Sequence, residues 1–334
     1  MRHRNKRTPA IVSALIVSLA AAAVYAQQQA KKPAAANPED IGQVFRVDTR
    51  RVICNTTVVD RSGHLVTDLK QNNFNVAENG TPQVITEFKH EDVPVSMGLV
   101  IDNSGSMRDK RAKVAAAALA LVKDSNKDDE VFVVNFNDDA FLDLPHNKDF
   151  TNDISEMEEA LSRIDSRGGT AMRDAIRMSI DHLREKGHKS KKVLVVVTDG
   201  NDNSSVINLE NLVKSAQQSE VLIYAVGLLS DEEKREASRA KKDLTILTES
   251  TGGEPFFPKE LSEVDRIAHQ VAHDIRNQYT IIYSPSNAAM DGTYRKIQIS
   301  VNAPGKLQVR TRSGYYATPD SAAPPKGSNS LVNH

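Results

Sequence analysis

Four short apolar runs constrain this chain more than anything else in it: "VSMGLVI" (95–101), "EVFVVNF" (130–136), "KKVLVVVTD" (191–199) and "EVLIYAVGL" (220–228). None alternates apolar with polar residues, so each reads as a strand buried on both faces. A helical segment follows each one: "RAKVAAAALALVKDS", then "DISEMEEALSRI" and "AMRDAIRMSIDHLREKG", then "NLENLVKSAQQS", then "DEEKREASRAKKDLTILTES". In the third of these, Ala171, Ala175, Met178 and Leu183 recur at helical spacing. "EPFFPKE" reads as a short edge strand, and "LSEVDRIAHQVAHDIRNQ" as a last helix. The alternation predicts an α/β unit with a doubly wound, mostly parallel, Rossmann-like sheet covered by helices on both faces.

The segments on either side read as β. "VVDRSGHLV" turns at Asp60 to Gly63, and Asn79-Gly80 marks a hairpin between Phe74/Val76 and Val84/Ile85. After residue 278, "YTIIYS", "RKIQISV" and "KLQVR" are strands, with "NAPG" as a turn. The predicted organisation is a β-domain part over 43–92, the α/β domain over 93–277 and a second β part over 278–317. The two parts are expected to pair into one small flanking β-sandwich with the α/β domain inserted; separate β modules are the alternative. The tail 318–334 has little apolar content and reads as disordered.

The first 26 residues combine a basic start, "MRHRNKR", with the apolar run "PAIVSALIVSLAAAAV". That pattern is a secretory signal peptide with cleavage after Ala26. An uncleaved anchor is the alternative, since the run is only slightly short of a span. Residues 27–42 form an Ala/Pro-rich linker. A secreted, periplasmic or cell-envelope protein follows, with no integral membrane span after cleavage. Cys54 is the only cysteine, so no internal disulfide is available. On "VICNTTV" it shares a face with Val52, Thr56 and Val58 and reads as a buried filler. Lys and Arg (43) nearly balance Asp and Glu (44) with no basic stripe, which argues against nucleic acid as a partner.

The chemistry gathers where strands end. Asp102, Ser104 and Ser106 form D-x-S-x-S at the carboxyl end of the first α/β strand, where open α/β sheets bind ligands. Gly105 lets the loop turn tightly. The next helix is expected to start near Met107 or Arg108, with its positive end towards the same crevice. "SRGGTAMRD" places Thr170 just before a helix, and Asp199 ends a buried strand. Together they offer two carboxylates and three hydroxyls, all hard oxygen donors. That set suits a small divalent cation: Mg²⁺ first, with Mn²⁺ or Ca²⁺ as alternatives. D-x-S-x-S by itself could be an Asx or Ser turn capping a helix; agreement from Thr170 and Asp199 on two other loops weighs against that.

D-x-S-x-S, then Thr, then Asp, on a strand–helix alternation, resembles the von Willebrand factor A domain with its metal-ion-dependent adhesion site. The resemblance covers about residues 93 to 277 and all five positions: Asp102, Ser104, Ser106, Thr170 and Asp199. The β flanks and signal peptide resemble the bacterial von Willebrand factor A-related family described from acidobacteria. The resemblance implies that the serines and threonine contact the metal directly or through water. It implies that the aspartates contact it largely through water. Neutral hydroxyl ligands leave the cation's charge poorly neutralised, so an open position favours an Asp or Glu carboxylate from a protein partner. The expected function is therefore adhesion or protein interaction through the cation, not enzymatic. A metal-assisted hydrolase is the first alternative, but no His or Glu stands in the three loops to act as base. A scaffold with a purely structural metal is the second.

Other signals rank lower. His269 and His273 in "HQVAH" have the spacing of a zinc-protease helix, but Gln270 stands where a general base is needed. The P-loop pattern and G-x-S-x-G are both absent. Met107 reads as packing. Arg108, Asp109, Lys110 and Arg111 read as a solvated helix face, with a partner rim as the alternative. "GHKSKK" reads as a basic loop that keeps a sheet edge solvated. Asp174 reads as complementing a helix dipole.

Overall fold

The apolar runs become the interior strands of one sheet. The computed structural model describes residues 50–145, 148–162, 168–229 and 234–318. The expected signal peptide and linker, residues 43–49 of the expected first β part, and all of the expected disordered tail but Thr318 lie outside the described residues. Among the described residues no helix is long and apolar enough to cross a membrane.

Four strands precede the α/β unit: β1 (Val52–Val59), β2 (Phe74–Glu78), β3 (Thr81–Gln83) and β4 (Ile85–Lys89). The unit itself runs β5 (Val95–Asp102), α1 (Arg111–Lys123), β6 (Glu130–Phe136), β7 (Ala140–Leu142), α2 (Ile154–Ser162) and α3 (Met172–Lys186). It continues with β8 (Lys191–Thr198), α4 (Leu209–Ser219), β9 (Leu222–Gly227), α5 (Lys234–Thr251), β10 (Pro255–Phe256) and α6 (Val264–Arg276). Four strands follow: β11 (Tyr279–Tyr283), β12 (Tyr294–Val301), β13 (Gln308–Arg310) and β14 (Gly314–Tyr316).

The central sheet has the order β10-β9-β8-β5-β6-β7. All its pairs are parallel except β6 with β7. Every residue of β5 is buried. Gly98 sits in register with Phe132 on β6 and Leu194 on β8. A Cβ there would lie 2.4 Å from the Phe132 ring and 2.5 Å from Leu194, so only glycine lets those side chains close over the middle of the sheet. On one face α1 packs against α6, where the small Ala117 and Ala118 are buried. On the other, α3, α4 and α5 pack in succession. Burial on both faces is the reason the strands lack alternation.

The flanking strands build two antiparallel sheets, β13-β1-β11-β4 and β14-β12-β2-β3. Both draw on the chain before and after the α/β unit. Val52, Cys54, Val58, Tyr279, Ile281 and Tyr283 of the first share an apolar cluster with Phe74, Val76, Ile297 and Tyr315 of the second. Inside it, Glu78 Oε2 accepts from both Tyr283 Oη and Tyr315 Oη at 2.8 Å, tying the sheets together. Cys54 is fully buried, which pushes its thiol up to about 12. Asn79 and Gly80 take positive φ, as a tight hairpin turn requires. The hairpin partner is Thr81–Gln83, not Val84 and Ile85: Val84 is a corner, and β4 crosses to pair with β11 in the other sheet.

Part-buried ion pairs and buried side-chain hydrogen bonds join the α/β unit to these sheets. Arg310 on β13 donates to Asp274 on α6 at 2.7 Å and also pairs with Glu254. Gln278 Nε2 donates to Thr57 Oγ1 at 3.0 Å and to Tyr224 Oη at 3.3 Å. Two expectations about charge need correcting. Lys191, in the basic loop read as solvated, begins an interior strand; it is buried, donates to the Ile275 carbonyl, and burial pulls its pKa down to about 7. Arg111, read as part of a solvated face, is 2% exposed.

Candidate metal centre at the sheet switch point

From β5 the chain adds β6 on one side and β8 on the other, so a crevice opens between the carboxyl ends of β5 and β8. Asp102 ends β5, Asp199 follows β8, and Thr170 precedes α3. The helix after the first loop begins later than expected. Gly105–Met107 form a short 3-10 turn that starts after Ser104, and α1 begins only at Arg111. The extra turn buries Met107 completely.

Asp102 is fully buried with both oxygens engaged: Oδ1 accepts from Ser104 N at 2.8 Å and Oδ2 from Thr198 Oγ1 at 2.6 Å. Burial pushes its carboxyl above the usual aspartate range, opposed by the hydrogen bonds from Thr198 and Ser104. A relay of oxygens leads away from it. Ser104 Oγ lies 3.1 Å from Ser106 Oγ, which donates to Asp199 Oδ1 at 2.8 Å. Asp199 Oδ2 is paired with Lys110 Nζ. The Thr170 hydroxyl faces Gly200, where a Cβ would stand 3.8 Å from it. Four of the expected residues thus form one bonded chain, and the fifth borders it at the residue after Asp199.

A supporting shell holds the loops. Thr170 N donates to Asn203 Oδ1 at 2.9 Å, and the Thr170 carbonyl accepts from Asn203 N at 3.1 Å. Gly169 N donates to Asp138 Oδ1 at 2.7 Å. Asp202 accepts from both the backbone and the guanidinium of Arg173, at 2.7 and 2.8 Å. Asp174 does more than complement the α3 dipole: its carboxylate accepts from Val206 N (2.8 Å) and Ile207 N (3.0 Å). Beneath the site, Arg111 donates to the carbonyls of Asp102 (3.2 Å) and Leu161 (3.3 Å) and to Asn135 Oδ1 (3.4 Å). Burial lowers its pKa from the ordinary arginine value.

Sequence reasoning missed Thr198, Lys110, Arg111 and Asn203. Thr198 sat in plain view beside Asp199, but only strand pairing shows that it points at Asp102. Lys110 and Arg111 looked like any charged helix start. His269 does not form a ligand pair with His273; its Nδ1 meets Asp124 at the end of α1.

The donor set fits a hard divalent cation. Among the described residues no group of three or more His, Cys, Asp or Glu is placed to hold a metal, so the oxygens here are two carboxylates and neutral hydroxyls. The Lys110 ammonium already pairs with the Asp199 carboxylate.

The chain belongs to the von Willebrand factor type A domain family, whose profile matches residues 97–270, just over half of it. It is similar to integrin alpha-11 from Mus musculus, 33% identical over 104 residues, which is 30% of this chain and 8% of that protein's length. The chain thus spans only a small part of that relative. Among solved structures, it resembles a von Willebrand factor type A protein from Catenulispora acidiphila (TM-score 0.46, 14% identity, 82% of this chain and 75% of that one). It also resembles the von Willebrand domain of the type V pili tip protein Mfa5 from Porphyromonas gingivalis (TM-score 0.44, 13% identity, 55% and 97%).

Proposed function

We propose that this chain is an interaction module that binds a protein ligand through a divalent cation, Mg²⁺ first, held by Asp102, Ser104, Ser106, Thr170 and Asp199. The observation that carries this is the convergence of two carboxylates and hydroxyl oxygens from separate loops at the switch point. The cation, when bound, supplies a Lewis-acidic position that a partner's Asp or Glu carboxylate can complete. The chain's own residues do the rest. Thr198 and Ser104 N hold Asp102 in one orientation, Ser106 bridges to Asp199, and Asn203 fixes the Thr170 loop. Asp102 is poorly suited to act as a base, because both of its oxygens already accept hydrogen bonds. No His or Glu stands within 102–110, 168–172 or 199–205. Both facts favour binding over hydrolysis. The signal-peptide pattern supports placing the module in the cell envelope or outside the cell.

The test is a pull-down from a native envelope fraction with and without EDTA. Capture by the wild type should depend on Mg²⁺. Asp102→Ala and Thr170→Ala should lose that capture while keeping the wild-type circular dichroism. Normal partner binding by either variant would remove the assignment.

A further inference from the structure

We propose that Lys110 is a tethered competitor for the cation: its ammonium holds Asp199 and must leave when a divalent ion binds there. The inference rests on the metal-binding reading above. It begins with charge. The Asp199 side chain is 1% exposed, and a carboxylate so enclosed needs a positive or hydrogen-bonding partner on each oxygen. Ser106 Oγ serves Oδ1 at 2.8 Å, and Lys110 Nζ serves Oδ2. A dication bound among Ser104, Ser106 and Asp199 would share that carboxylate with the ammonium, and two like charges so close in a partly buried site repel strongly.

Lys110 is built to leave. Its side chain is 29% exposed, on a flexible four-carbon stem, and it stands one residue before α1 without capping it. Its neighbour Arg111 is the opposite case, enclosed and bonded to three acceptors. The two adjacent cations therefore divide the work. Arg111 is a fixed counter-charge beneath Asp102, and Lys110 is an exchangeable one on Asp199. Lys110 keeps Asp199 neutralised and seated on Ser106, and in exchange it lowers the affinity for the cation. Occupancy then tracks external cation concentration instead of saturating at trace levels.

Calorimetric titration of Mg²⁺ into the full chain tests this. Lys110→Met should bind Mg²⁺ roughly tenfold more tightly than the wild type, while Lys110→Arg, which keeps the charge, should not gain affinity. A second readout uses the wild type alone: amine-reactive labelling of Lys110, followed by mass spectrometry, should be several-fold faster in Mg²⁺ than in EDTA. If Lys110→Met fails to fold, the labelling result decides. Affinity in Lys110→Met equal to or below the wild type, or labelling indifferent to Mg²⁺, overturns the inference and leaves the metal reading standing. No Mg²⁺ binding by either protein overturns both.

Discussion

Thr198 shows how one side chain off the expected motif can set the behaviour of another on it. Its hydroxyl donates to Asp102 Oδ2 at 2.6 Å, while Ser104 N holds the other oxygen at 2.8 Å. Partners of this kind are worth about 10- to 100-fold in metal affinity. Thr198→Val, nearly the same shape, should weaken Mg²⁺ binding by about that factor and, by leaving the buried Asp102 Oδ2 without its donor, lower stability by about 1–3 kcal/mol. Calorimetry and thermal denaturation on the same protein check both halves. Glu78 is the structural counterpart. It accepts two tyrosine hydroxyls in the β core, so Glu78→Ala leaves two buried donors without a partner and should cost about 3 kcal/mol in chemical denaturation. Glu78→Gln keeps an acceptor oxygen and should cost clearly less.

At the scale of elements, α1 and α6 are held together by more than apolar contact. His269 on α6 pairs with Asp124 just past the end of α1, and that hydrogen bond, with the Asp124 charge, raises the imidazole above its ordinary 6.5. A raised histidine stabilises the fold while it is protonated in the folded chain. The contribution is full below pH 6.5 and is lost as pH climbs through the folded-state value. An NMR titration should therefore find His269 titrating above 6.5, and Asp124→Asn should bring it back towards 6.5. The pair is exposed, so its effect on stability is small and screened by salt. The α/β elements were legible because their signals are local. Apolar runs announce buried strands, and Ala175 and Leu183 mark the inner face of α3. Lys191 and Arg111 were not legible, since a cation at the start of an element looks the same whether a neighbour covers it or water does.

For the whole molecule, we propose that residues 43–92 and 278–317 form one domain that carries 93–277 as an insertion. The pairing of β1 with β11 and β13, and of β2 with β12, supports it. A 93–334 fragment would lack both neighbours of β11 and would expose the faces of Tyr279, Ile281 and Tyr283. Such a fragment should be insoluble or lack cooperative melting. A soluble fragment melting like the full chain would show that the β segments fold independently. The arrangement also separates functions. The ion pairs from Arg310 to Asp274 and Glu254 anchor the sheets at the end of α6 and before β10, at the pole of the α/β unit away from the carboxyl ends of β5 and β8.

The sequence by itself determined the strand–helix alternation, the parallel character of the central sheet and that Asp102, Thr170 and Asp199 each stand at a strand end or just before a helix. Each depends on periodicity or spacing within a few residues, which tertiary context does not rewrite. Only the tertiary structure decided which charges are enclosed, that Thr198 aims at Asp102, that Lys110 rather than solvent meets Asp199, and that β3 and β4 part company at Val84. Those outcomes depend on residues tens to hundreds of positions apart meeting in space. An isolated stretch of sequence carries no record of what will be packed against it.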